Sequence, residues 1–278
     1  MNYEEISLFK GNGPLRISSK VRQWEGSYRD GNFYEPSLIV AFMNLLSRGG
    51  PFADESVFFL DIGANAGSYC LLPFYDDRLT CWCYEPHNEV YDILKENILL
   101  NNLEDRVHPF NIGLWETNTL KDFRIPIDKS DSGLSTLGNH TERFKYDEKE
   151  GIYKIETIEC MSLDSHFKEM KPTSPVDAIK IDAEGAELFI FRGAENILKK
   201  DKPWLLLEYD EKNTAGFGYK PMDIQHYLFS IGYKFTAVVG ETGGELYAQW
   251  EIPDEWRDGV PQGSRPENPM NSIKGIFV

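Results

Sequence analysis

Five carboxylates stand where a folded chain could use them: Asp61, Glu85, Asp182, Glu184 and Glu208. Asp61 ends the run Phe58-Phe59-Leu60, and Glu85 follows Leu79 to Tyr84. Asp182 and Glu184 follow Ile179-Lys180-Ile181, and Glu208 follows Trp204 to Leu207. Short apolar runs bounded by turn residues read as buried strands. In an open α/β sheet, ligands sit beyond the carboxyl ends of such strands. An alcohol holds its proton about as tightly as water, with a pKa of about 15.7. Acids at a strand tip can activate it as a base, or hold a metal that acidifies it. Hard oxygen ligands suit Mg²⁺, Ca²⁺ or Mn²⁺.

The first acid opens the stretch that organises the rest, Asp61-Ile62-Gly63-Ala64-Asn65-Ala66-Gly67-Ser68. It reads as a buried strand, a tight turn and then a helix. Gly63 and Gly67 let the backbone turn sharply and approach a ligand. Asn65 is the non-glycine residue that best tolerates positive φ. A helix starting near Gly67 would aim its free N–H groups over the turn. A dinucleotide fingerprint, G-x-G-x-x-G, needs glycines where Asn65 and Ser68 stand, which weakens an oxidoreductase reading. Tyr84-Glu85-Pro86 lies about 20 residues further on, where a nucleotide fold puts its ribose-binding acid. Pro86 biases Glu85 toward extended backbone, as suits a strand tip.

Positioning elements follow from periodicity. Residues 1–35 read as polar and irregular. Leu38 to Leu46 reads as a helix with Pro36 in its first turn, and Glu35 just before it is a candidate to reach the cofactor site. Strands are expected at about 57–61, 80–84, 107–112, 177–182 and 204–208, with intervening helices. Asn88 is a plausible cap for a helix carrying Val90, Ile93, Leu94 and Ile98. The helix from Gly185 to Lys199 has a break at Gly193, and another spans about 222–231. Tyr233–Val239 and Leu246–Ile252 pair as a final hairpin. The fold class is therefore α/β. It is a doubly wound, mostly parallel Rossmann-like sheet with helices on both faces and a C-terminal antiparallel hairpin. Residues 1–50 form an N-terminal segment and helix, 51–252 the main domain, and 253–278 a tail. Within the domain, an insertion at about 114–160 carries an extended pair, about 119–125 and 152–159. A polar excursion between them reads as a lid, and so long an insertion is usually functional or disordered. His140 lies in it and is a candidate base, whereas His166 reads as part of a short helix. Lys180 can face a carboxylate. Glu187 reads as lying on a solvated helix face.

Composition narrows the class. Among 278 residues, 45 acids against 29 bases give a net charge of −16. Such a chain repels phosphate backbones, so nucleic acid is disfavoured as a partner. Cys70, Cys81, Cys83 and Cys160 read as buried reduced thiols. Cys81 and Cys83 alternate along a predicted strand, which is read as keeping both from facing one metal. Met1 to Lys10 has no apolar h-region and no stretch approaches transmembrane length, so a cytoplasmic protein is expected.

The form D-x-G-x-N-x-G resembles the first motif of class I S-adenosylmethionine methyltransferases. With Tyr84-Glu85-Pro86, Ile179 to Glu187, Arg192-Gly193-Ala194 and Leu207-Glu208, residues 34–210 resemble the FkbM-type methyltransferases. The resemblance implies the class I fold and S-adenosylmethionine as cofactor. It also implies O-methylation of sugars or sugar-bearing natural products. It assigns Asp61, Gly63, Ala64, Asn65 and Gly67 to the methionine-side cradle. It assigns Glu85 to the ribose hydroxyls and Asn111 to the neighbourhood of the adenine. The family's usual D-V-E-G stands here as Asp182-Ala183-Glu184-Gly185. Asp182 and Glu208 resemble the positions at which catechol-type O-methyltransferases hold a metal, here Mg or Mn.

The leading reading is O-methyl transfer to a small-molecule or glycan acceptor, with Asp182, Glu184, Glu208 and His140 as candidate catalytic groups. N-methylation of a small molecule or nucleic acid is an alternative. The Asn/Asp-Pro-Pro-aromatic turn of base methylases is replaced here by Asp182-Ala183-Glu184-Gly185. A non-catalytic cofactor-binding module is a second alternative, opposed by the acids at four strand tips.

Overall fold

The computed structural model describes residues 2–7, 13–20, 28–29, 32–33, 36–46, 55–128, 133–138, 153–208, 211–239 and 245–249. Strands β1 (Tyr3–Ile6) and β2 (Leu15–Ser18) pair antiparallel, as do β3 (Tyr28–Arg29) and β4 (Asn32–Phe33). The N-terminal segment is thus not irregular throughout. Alternate apolar residues of the first pair, Ile6, Leu15 and Ile17, are buried. Helix α1 (Pro36–Leu46) leads to β5 (Val57–Ile62), β6 (Leu79–Tyr84), α2 (Asn88–Leu100) and β7 (Val107–Phe110). Strands β8 (Gly113–Leu114), β9 (Thr119–Pro126) and β10 (Tyr153–Met161) form a separate sheet in the order β8-β10-β9. Then come α3 (Leu163–Met170), β11 (Ala178–Ile181), α4 (Glu187–Arg192), α5 (Glu195–Asp201) and β12 (Trp204–Glu208). The described chain closes with α6 (Glu211–Ala215), α7 (Pro221–Ser230), β13 (Lys234–Val239) and β14 (Glu245–Gln249).

The main sheet runs β13-β14-β12-β11-β5-β6-β7. Its five strands from β12 to β7 are parallel, and β14 joins β12 antiparallel. Strand order reverses between β5 and β11, so the crevice for a ligand opens above these two. Alternation along β5 splits the core. Val57 and Phe59 pack with Ile39 and Phe42 of α1 and with Val90 and Leu94 of α2. Phe58, Leu60 and Ile62 pack on the other face with Leu163 of α3, Leu188 of α4 and Leu228 of α7. That is the doubly wound α/β arrangement. No helix among the described residues is long and apolar enough to cross a membrane.

Three local expectations fail for identifiable reasons. No α-helix follows Gly67. Turns lead into a short 3₁₀ segment, Leu72–Phe74, containing Pro73, which cannot donate a helical hydrogen bond. Asn88 is the first helical residue rather than a cap, and His87 holds the cap position without a side-chain bond. Cys81 and Cys83 do share a face, because residues two apart in a strand point the same way; both pack with Cys70 in the core under α1 and α2. All four thiols are free and buried. Burial pushes Cys81 up to about 12, so it packs as a neutral group. The extended pair and the C-terminal hairpin of the sequence reading are present. The tail from 253 lies outside the described residues.

Helix α2 also fastens the N-terminal pair. Asn97 accepts from the Ser18 N–H at 2.7 Å and donates to the Ala66 carbonyl at 2.8 Å. One helical turn on, Asn101 accepts from the Arg16 N–H and donates to the Arg16 carbonyl. Asn97→Ala removes both hydrogen bonds and takes the acceptor from the buried Ser18 N–H, a loss on the order of 1–3 kcal/mol. It should therefore lower the unfolding free energy by about 1–3 kcal/mol in urea titration. An unchanged midpoint would show that β2 is held by its apolar side chains alone.

Candidate functional site

The turn after β5 hangs from the neighbouring strand, as the Gly63 and Ala64 N–H groups both donate to the Tyr84 carbonyl. Gly63, Asn65 and Gly67 all have positive φ, at 73°, 48° and 107°, as their residue types anticipate. At Gly63 a Cβ would come 1.8 Å from the Asp182 carbonyl oxygen. The close approach that requires glycine is therefore between two turns of the chain itself. At Gly67 a Cβ would meet only side chains, Leu94 at 3.0 Å and Cys70 and Leu71 at 3.2 Å.

Asp61 is fully buried. Its carboxylate accepts from the Cys70 N–H at 2.9 Å and lies 3.5 Å from the Lys180 ammonium. Burial pushes its pKa up, against the opposing pull of Lys180 and of the Cys70 N–H. Lys180, its cross-strand partner, also lies 3.7 Å from Asp182 and donates to the Gly63 carbonyl at 3.1 Å. Lys180 thus faces carboxylates. Asp182 is more open, its side chain 39% exposed.

Glu85 ends up buried over the turn. Its two oxygens accept from the Asn65 N–H at 2.9 Å and the His87 N–H at 2.8 Å. Burial nevertheless pushes its pKa up to about 7. The Asn111 amide donates to the carbonyls of Glu85 and Pro86, which fixes the turn after β6.

The turn after β11 has a similar clip. Glu187 is not on a solvated face; it is 1% exposed. It accepts from the N–H groups of Ala183 and Gly185, and from the Tyr219 hydroxyl at 3.4 Å. Its distance of four residues from Ala183 folds it back under its own turn instead of outward. Burial raises its pKa to about 7. Glu184 sits at φ 50°, a left-handed conformation that a non-glycine residue rarely takes. Its carbonyl accepts from the Thr136 hydroxyl, and the Gly185 carbonyl accepts from Tyr219. Glu184 does not cap α4, whose cap position is Ala186.

Glu208 ends β12, with its side chain outside the described residues, as are Glu35 and His140. His166 lies in α3, as its sequence context indicates, with Nδ1 3.0 Å from the Tyr84 hydroxyl. Among the described residues, no group of three or more His, Cys, Asp or Glu converges as a metal site. Of the candidate ligands, Asp182 already faces an ammonium. Of the two candidate ligands, the described residues place the side chain of Asp182 alone. Sequence reasoning missed Asn97, Thr136, Tyr219 and the buried role of Glu187. Asn97 alone left a signal, an amide on the apolar stripe of α2.

The Methyltransferase FkbM domain family matches residues 61–235. This span takes in both turns, Glu85, Asp182 and Glu187. The chain belongs to the FkbM methyltransferase domain family. Comparison with curated proteins found no match. Among solved structures, it is similar to an FkbM methyltransferase from Methylobacillus flagellatus KT, at 19% identity and a TM-score of 0.47. That likeness covers 74% of this chain and 47% of the other, so the chain spans about half the length of that relative. An O-methyltransferase from Bacillus cereus in complex with SAH is 14% identical, with TM-score 0.47, covering 78% of this chain and 82% of that one. A precorrin-6y C5,15-methyltransferase from Geobacter metallireducens GS-15 is 10% identical, with TM-score 0.47, covering 82% and 95%.

The buried acids set a pH dependence. The folded state holds a proton on Glu187 from its ordinary value of 4.5 up to about 7, where the unfolded chain has lost it. Unfolding then releases protons, so this group's contribution to stability falls as pH rises through that window and levels off above it. Glu187→Gln cannot titrate, so its unfolding free energy should change less between about pH 4.5 and 7 than that of the wild type. Denaturant titrations at several pH values test this, and parallel curves would mean that Glu187 is ionised throughout.

Proposed function

We propose that the chain is an S-adenosylmethionine-dependent O-methyltransferase acting on a hydroxyl of a sugar or a sugar-bearing natural product. The observation that supports the cofactor best is Glu85, a buried carboxyl at the second strand tip beside the glycine turn. A carboxylate has about four acceptor sites. The N–H groups of Asn65 and His87 use two, which leaves two for a pair of ribose hydroxyls. Donors from such a diol favour the ionised form of a group that burial holds at about 7 even against the N–H groups of His87 and Asn65.

The bound cofactor supplies the methyl group as an electrophile. The chain's residues do the rest. Glu85 anchors the ribose, the turn from Gly63 to Gly67 lines the methionine side, and Asn111 holds the second turn near the adenine. Asp182, the half-open acid, would take the proton from the acceptor hydroxyl as its oxygen bonds the methyl carbon and the bond from that carbon to the sulfonium sulfur breaks, leaving a neutral thioether. Glu184 and Glu208 flank it as further candidate groups. Asp182 and Glu208 as ligands of Mg²⁺ or Mn²⁺ form the second reading, favoured by their positions at adjacent strand tips.

Purified protein incubated with S-adenosylmethionine and a panel of mono- and oligosaccharides should give a product one methyl group heavier by mass spectrometry. Cofactor binding without any methylated saccharide would move the acceptor out of the carbohydrates. Turnover should survive chelator; loss that Mg²⁺ or Mn²⁺ restores would favour the metal reading. Glu85→Ala should weaken S-adenosylhomocysteine binding about tenfold or more, as expected for lost charged hydrogen bonds. Equal affinities by calorimetry would remove the ribose role. Asp182→Asn should keep cofactor affinity while cutting the rate about 10²-fold or more; normal turnover would leave Asp182 a structural strand end.

A further inference from the structure

We infer that Lys180 is a positioning residue that ties the cofactor turn to the acid at the adjacent strand tip. The inference rests on the cofactor reading above. Lys180 is a cation inside an apolar strand, with Ile179 and Ile181 buried on the opposite face. Its ammonium lies 5.0 Å from the centre of the Tyr69 ring. From there Nζ donates to the Gly63 carbonyl at 3.1 Å. Asp61 and Asp182 lie 3.5 and 3.7 Å away on the two strands that flank the crevice.

Stability alone is a poor reason for this arrangement. Taking an ammonium and a carboxylate out of water costs several kcal/mol per ion, and well-packed apolar side chains often do as well or better. An aliphatic pair at 61 and 180 would still fill the sheet. It could not reach out of the sheet to a loop carbonyl and a half-open acid, as the ammonium does. The turns it joins already touch, since nothing larger than hydrogen fits between Gly63 and the Asp182 carbonyl. Asp182 also donates its N–H to the Ile62 carbonyl. The ammonium clamps the side of that contact. It fixes the carbonyl of the first cofactor-turn residue and the aim of the candidate base together. It also supplies the positive charge that two neighbouring carboxylates require, which disfavours a second cation on Asp182.

Isothermal calorimetry with S-adenosylhomocysteine as the probe, combined with thermal melts, separates positioning from plain structural support. Lys180→Met keeps the stem and removes the ammonium. Below its melting temperature it should bind the probe about tenfold or more weakly than the wild type, the size of one lost charged hydrogen bond. Lys180→Arg keeps the countercharge for Asp61 if the first variant does not fold. Its planar fork cannot repeat the single-point contact on Gly63, so it should also bind about tenfold more weakly, with a melting temperature closer to wild type. Wild-type affinity in either folded variant, with only the melting temperature lowered, would overturn the inference and leave Lys180 a structural ion-pair partner. A wild type that does not bind the probe at all would remove the cofactor reading and this inference with it.

Discussion

One ammonium constrains the centre of this molecule. Lys180 lies where the strand order reverses, between a buried carboxylate on β5, a half-open one after β11, and a loop carbonyl. A charge at that depth is tolerated only when paired and hydrogen-bonded. The requirement runs both ways. Asp61 has Lys180 for its countercharge, and Lys180 has the Gly63 carbonyl as an acceptor. The turn must therefore carry its carbonyl toward the sheet, and positive φ at Gly63 belongs to that path.

The other acids near the crevice obey a related rule. A loop that reverses direction at a strand tip leaves N–H groups without sheet partners, and buried ones must be satisfied. Glu85 serves Asn65 and His87, Glu187 serves Ala183 and Gly185, and Asp61 serves Cys70. Away from the crevice, Asp177 does the same for Phe58 and Asp164 for Asn196 and Ile197. Carboxylates suit this work because one group accepts several donors. The consequence for function is selective. Acids spent on backbone clips hold turns still, and Asp182 is left facing both the ammonium and solvent.

The insertion between β7 and β11 joins the same region from above. Its two long strands pair antiparallel, and residues 133–138 return to them through Arg124 and Thr136. Thr136 is buried and bonds the Glu184 carbonyl. At Gly138 a Cβ would strike the Phe217 ring. The described part of the expected lid is therefore docked on the turn after β11 by a specific hydrogen bond. Residues 129–132 and 139–150 lie outside the described ones.

Sequence alone determined the parallel sheet, because each strand is a short apolar run between turn residues and each helix has its own period. It also determined the positive φ of the turn after β5, since Gly63, Asn65 and Gly67 are the residue types that accept it. Both properties are local, carried by a residue and its near neighbours. Local pattern failed where long-range partners compete. The helix expected after Gly67 is replaced by turns, in which the Cys70 N–H goes to Asp61, nine residues earlier. Glu187 looked like a surface acid until the turn beneath it needed an acceptor. Only the tertiary structure decided which of the described acids are clips, and that Asp182 stays half-open. That depends on distances between segments such as Gly63 and Asp182, which lie on neighbouring strands and far apart in the chain.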